Sequence, residues 1–180
     1  MQFPRDLLII DIETTGSNPY IHKPFQIGAV LLDRQTLEEK KQFVSFIYQP
    51  KDVAVETLAL QKVHIDFDRD LAVAPSIEEV AERFVKTFGF DVTIASWVIA
   101  FDVAFFTQMI NAIGLQWGKE YDHHALDLFT LTWDYCSRLG WKTIPNSQEV
   151  FDYFKLPPRG FHDGLEDCRL EAEVLRRIVK

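Results

Sequence analysis

With 180 residues, 47% of them hydrophobic and 26% charged, the chain is long enough for one full core and too short for two; one domain over 1–180 is expected, and disorder is excluded. A formal net charge of −8 argues against a long basic nucleic-acid groove. It leaves room for a metal-dependent phosphodiesterase, because two divalent cations would bring the balance to about −4 and would themselves attract phosphate.

Neither Cys136 nor Cys168 has a CxxC partner, so disulfide and zinc frameworks are not expected and a reducing setting is. The N-terminal MQFPRDLLII is too short an apolar run for a leader, and no later stretch reaches membrane-spanning length. A soluble, cytoplasmic protein without membrane contact is expected.

In chain order, LLIID at 7–11, IGAVLLD at 27–33 and QFVSFIY at 42–48 read as three strands of a meander. ETLALQKVH at 56–64 suggests a short helix. PSIEEVAERFVKTFG predicts a longer one, with a Ser76/Glu79 capping box, apolar residues at helical spacing and Gly89 as its stop. VTIASW at 92–97 reads as a strand, followed by a helix over 101–114 that carries Phe105, Phe106, Met109, Ile110 and Ile113. A short strand at Ala125–Leu128, a helix at 129–139 and a helix capped by Asn146 with Glu149 come next. The loop LPPRGFHDG then leads to a last helix, EDCRLEAEVLRRIVK. Three strands followed by alternating helices and strands imply a mixed α/β sheet with helices on its faces.

In LLIIDIETTG at 7–16, Asp11 and Glu13 fall on one face of a strand, with Ile12 on the other. Their repulsion asks for a bridging cation or for ample solvent. Asp102 and Asp167 each stand near a helix start, where an acid alone reads as a cap or a complement to the helix dipole. Together, however, the strand end and the two helix starts are places where open α/β sheets gather ligand groups. Four carboxylates there suit Mg²⁺ or Mn²⁺, and a pair of such ions suits phosphoryl displacement. His162, on a loop between Gly160 and Gly164, could take a proton from water at that site. His22, His64, His123 and His124 lack such an acidic context, and the adjacent pair His123 and His124 is expected to point in different directions rather than to form a metal pair.

DIETTG at 11–16, AFDVAFF at 100–106 and HDGLED at 162–167 resemble the three motifs of the DEDDh, or DnaQ-like, 3′-to-5′ exonucleases, which include the proofreading subunit of bacterial DNA polymerase III. PFQIGAV at 24–30 and ALDLFTLTW at 125–133 extend the resemblance over nearly the whole chain. It implies a ribonuclease-H-like fold, a mixed five-stranded sheet flanked by helices. It further implies that Asp11, Glu13, Asp102 and Asp167 bind two divalent cations, Mg²⁺ or Mn²⁺. His162 would be the general base, acting with Glu13 in the catalytic set, and Thr14, Thr15 and Gly16 would lie near the 3′-terminal nucleotide.

The activity expected from the resemblance is hydrolysis of terminal phosphodiester bonds at single-stranded 3′ ends, releasing nucleoside monophosphates. DNA is favoured, with RNA trimming or a catalytically weak end-binding module as alternatives; a polymerase is a candidate partner. One departure stands out: members commonly carry His-Asn ahead of the FD motif, where this chain has Trp97 and Val98. Trp97 offers either a stacking face for a base or a strand-end aromatic of the core. Arg34, Lys40, Lys41, Arg176, Arg177 and Lys180 read chiefly as solvated surface charge.

Overall fold

The structure, a computed structural model, describes residues 2–57, 65–158, 160 and 163–179. Its elements are β1 (Asp6–Thr14), β2 (Pro24–Leu32), β3 (Glu39–Phe46), a π-helical turn at Phe67–Leu71, α1 (Ile77–Phe88), β4 (Val92–Ser96), α2 (Ile99–Asn111), β5 (Leu126–Asp127), α3 (Leu128–Arg138), α4 (Ser147–Phe154) and α5 (Gly164–Ile178). The strands form one sheet in the order β3-β2-β1-β4-β5. The β3–β2–β1 meander is antiparallel, whereas β4 and β5 join parallel to β1. This is the mixed, helix-flanked sheet expected from the sequence. The suggested helix at 56–64 falls almost wholly outside the described residues.

Side-chain alternation along β1 divides the core. Leu8, Ile10 and Ile12 face the layer of α1 and α2, packing with Val80, Phe84, Phe105, Phe106 and Ile110. Leu7 and Ile9 face α5 and α3, packing with Cys168, Ala172, Leu175 and Leu128. Asp11 and Glu13 continue the second face, so the acids lie under the start of α5. Every residue of β2 is buried, which fits a central strand covered on both sides.

Capping chemistry is realised as read. Ser76 and Glu79 form a capping box on α1, and Asn146 and Glu149 form one on α4. Three of the boundaries that differ from expectation bear on the site. β1 runs on to Thr14 because β2 continues to pair with it beyond Asp11, so both acids are strand residues rather than its end. α2 begins at Ile99, with Val98 as an N-cap that makes no side-chain bond. α5 begins at Gly164, with Asp163 as its cap, accepting from the amides of Leu165 and Glu166.

The start of α5 presses onto the sheet at one point. A methyl group on Gly28 would lie 2.0 Å from the Gly164 carbonyl carbon, and one on Gly164 would lie 3.0 Å from the Asp11 carbonyl oxygen. Gly28 pairs with Asp11 across the β1–β2 ladder. The buried Gln26 side chain accepts from the Gly164 amide at 3.0 Å, fixing the helix start over the strand. Since the atoms in the way are backbone, Gly28→Ala is expected to destabilise the protein by about 2 kcal/mol or more. A urea denaturation midpoint no lower than that of the wild type would contradict this account of the contact.

Candidate active site

β4 pairs with β1 only from Asp6 to Ile9, so the last residues of β1 lack a neighbour on that edge. The Ile12 amide points there and donates to Asp102 Oδ1 at 3.0 Å. Asp102 therefore closes the unpaired edge of β1 instead of capping its own helix, which corrects the capping reading. Asp167 likewise leaves the cap to Asp163 and turns inward, with only 2% of its surface exposed. Carboxylate oxygens of Asp11, Glu13 and Asp167 lie within 4.8 Å of one another. Asp102, 5% exposed, sits beside them on the unpaired edge.

The grouping costs free energy in the absence of a cation. Burial, followed by the charges of Glu171, Asp102, Glu13 and Asp167, pushes the Asp11 carboxyl well above the ordinary carboxylate range. Burial likewise drives Asp102 up to about 7, partly opposed by the nearby Ser96 hydroxyl and the hydrogen bond from the Ile12 amide. All the converging donors are carboxylate oxygens, hard ligands that suit Mg²⁺ or Mn²⁺ in preference to softer ions. The residues present thus fit a divalent cation.

The model of the RNase_T family, described as exonuclease, matches residues 8–175. The chain belongs to the RNase_T exonuclease family. It is 26% identical over 179 residues to the 3′-5′ DNA exonuclease Cap18 of Escherichia coli, covering 95% of this chain and 90% of that protein. Among solved structures, E. coli Exonuclease I in complex with a dT13 oligonucleotide superposes with a TM-score of 0.80 at 16% identity, over 97% of this chain and 41% of that one. The nuclease domain of 3′hExo, a DEDDh family member bound to rAMP, superposes at 0.76 and 14% identity, over 99% and 94%. The structural likenesses show the ribonuclease-H-like fold.

As in other strand-end sites, a loop continues directly from the acids. Thr14 Oγ1 donates to the Gly16 carbonyl at 2.8 Å, and the Lys23 amide donates to Thr15 Oγ1 at 3.1 Å. Both hydroxyls are spent on holding the loop. Gly16 is required by the His22 ring, from which an added methyl would stand 2.5 Å. His22 in turn lies 3.0 Å from Glu56, so it does have an acidic partner, contrary to the sequence expectation. Gln108 of α2 donates to the His22 carbonyl, tying the loop to the helix that carries Asp102.

His162 lies outside the described residues. The Trp97 ring packs edge-on to Phe129 and Phe151, at centroid distances of 6.4 and 6.0 Å, so the core reading of that residue holds. Val98 is 47% exposed at the start of α2. Among the described residues, the cations singled out in the sequence are engaged within the protein: Arg34 with the Pro4 carbonyl, Lys40 with Asp6, Lys41 with the Thr87 carbonyl, Arg176 and Arg177 with Glu173. His123 and His124 do not diverge, their rings standing 4.0 Å apart beside Asp122.

Sequence reasoning missed Glu171. It is only 4% exposed and its charge is the largest acting on Asp11. The available signal was its spacing, four residues after Asp167 and hence on the same helical face.

Proton linkage gives a test. Asp11 and Asp102 hold protons more tightly when folded than when unfolded, so without divalent ions their contribution to stability is greatest at low pH. For Asp102 the loss begins near 3.8 and is complete above about 7. In EDTA the melting temperature should therefore fall across that window, and Asp102→Asn, which retains an acceptor for Ile12, should flatten the fall and melt higher at pH 8. Equal slopes for variant and wild type would contradict the electrostatic account.

Proposed function

We propose that this chain removes nucleoside monophosphates stepwise from the 3′ ends of single-stranded DNA. The observation that carries the reading is the convergence of the Asp11, Glu13 and Asp167 oxygens within 4.8 Å beside an edge closed by Asp102, in a chain of this family. Those four acids would hold two divalent cations, Mg²⁺ or Mn²⁺. When bound, such ions supply Lewis acidity at phosphoryl oxygens.

The chain's own residues do the rest. β1 fixes Asp11 and Glu13 as one rigid pair, and Asp102 holds the strand edge in register with α2. His162 takes the proton of the attacking water, the role its motif carries in the resembling family. The backbone of Thr14, Thr15 and Gly16 lies directly after Glu13, where a 3′-terminal nucleotide would sit. Val98 replaces a polar residue of the family pattern with an exposed apolar one, which favours contact with sugar or base over a hydrogen bond.

DNA is favoured because Cap18, aligned along almost its full length, is named a DNA exonuclease and Exonuclease I was solved with a DNA oligonucleotide. RNA is the second reading, favoured by the rAMP held in 3′hExo. Discrimination between them would rest on contacts to the 2′-hydroxyl.

Matched 3′-extended DNA and RNA strands incubated with Mg²⁺ or Mn²⁺ should be shortened from the 3′ end, DNA faster. RNA-only laddering would replace the first reading with the second, and binding without metal-dependent shortening would leave only the end-binding module. Asp11→Ala should abolish turnover, and His162→Ala should slow it about 10²- to 10⁴-fold with metal binding retained. Wild-type rates in both variants would refute the site.

A further inference from the structure

β1 and β4 run parallel, so their N-terminal ends lie together at the edge of the sheet opposite to the clustered acids. There Arg5, just before β1, reaches Asp91 with Nε at 3.2 Å and Asp122 Oδ2 with a terminal nitrogen at 3.1 Å. The other carboxylate oxygen, Asp122 Oδ1, faces two imidazoles, with His124 Nδ1 at 2.8 Å and His123 Nδ1 at 3.8 Å. One donor atom from each of the three residues lies within 4.8 Å of the others. A cavity of about 410 Å³ opens alongside, lined by Arg5, Asp91, Glu120, Tyr121, Asp122 and His123.

Nitrogen and oxygen ligands bind zinc at about 2.0–2.2 Å in tetrahedral array, which sets neighbouring donors roughly 3.3–3.5 Å apart. The two Asp122–imidazole distances straddle that spacing. The imidazoles are 66% and 80% exposed, so the remaining coordination positions face water. We propose that Asp122, His123 and His124 form a second metal site, separate from the carboxylate cluster, that takes a borderline ion of the Zn²⁺ class.

Each neutral imidazole lends its Nδ1 lone pair and keeps its proton on Nε2. Arg5 occupies Oδ2, and Oδ1, which accepts the His124 backbone amide at 3.0 Å, has its second lone pair for the ion, an outer-shell orientation usual around metal ligands. The His124 backbone amide, with Arg5 assisting, lowers the Asp122 carboxyl below the ordinary carboxylate range, so no proton competes there at neutral pH. The donor sets divide the ions: the all-oxygen cluster suits Mg²⁺ or Mn²⁺, and imidazole with one carboxylate suits Zn²⁺ or Cu²⁺. An ion here would join three consecutive residues, and Asp122 is tied to the start of β1 through Arg5.

Cu²⁺ as a spectroscopic probe tests the assignment. One equivalent added to the full chain in excess Mg²⁺ should give an electron paramagnetic resonance spectrum with nitrogen couplings. Those couplings should vanish in H123Q/H124Q, whose Mg²⁺-dependent nuclease rate stays at the wild-type value. In parallel Zn²⁺ titrations the double variant should bind one ion fewer per chain, and Asp122→Asn should weaken that ion's binding by about tenfold or more. No nitrogen coupling in the wild type, or the same spectrum in the double variant, would overturn the site. Unchanged Zn²⁺ affinity in Asp122→Asn would overturn the three-residue assignment.

Discussion

Four carboxylates from β1, α2 and α5 are held at one end of the sheet against their own repulsion, and the packing that holds them is the constraint on which the rest depends. Leu7, Leu8, Ile9 and Ile10 are completely buried, each contributing about 1.5–3 kcal/mol relative to exposure. That run fixes the next residues of β1 in direction and pitch. Asp11 and Glu13 cannot separate without slipping the strand, and a slip of one residue would turn every apolar side chain to the wrong layer.

The second part of the constraint is a mismatch of strand lengths. β4 stops pairing with β1 at Ile9, and the vacated edge receives Asp102 from the following helix. On the opposite face the start of α5 descends at the Gly28–Gly164 contact, with Gln26 fixing its first amide, and delivers Asp167. The four acids are supplied by three elements, two of them by β1, and all answer to the geometry of that strand. The free energy lost by grouping them is what a divalent cation would restore, as expected where function opposes stability.

Much of this was legible in residue order. Alternation along β1 placed Asp11 and Glu13 on one face, the Ser76 and Asn146 boxes marked helix starts, and the strand-strand-strand then helix-strand order specified a mixed sheet. The roles of Asp102 and Asp167 were harder to read, because local capping rules apply to any acid near a helix start and the competing partner, the Ile12 amide, is distant in sequence. Gly28 looked like an ordinary strand residue, since only the approach of Gly164 demands it. Glu171 was hidden by its charge: a helix face was expected to bury apolar side chains, and this one buries an acid near Asp11. His123 and His124 were expected to point in different directions, but their rings lie together beside Asp122. His162 lies outside the described residues, so its placement rests on its motif.

The central claim is that the strand-end acids form one cation site under electrostatic strain. A calorimetric titration of Mn²⁺ into the wild type and Asp167→Asn tests it without reference to substrate. The account predicts two ions per wild-type chain, with at least one lost in a variant that, free of metal, melts no lower than the wild type. Absence of saturable Mn²⁺ binding in the wild type, or identical stoichiometry and affinity in the variant, would contradict it.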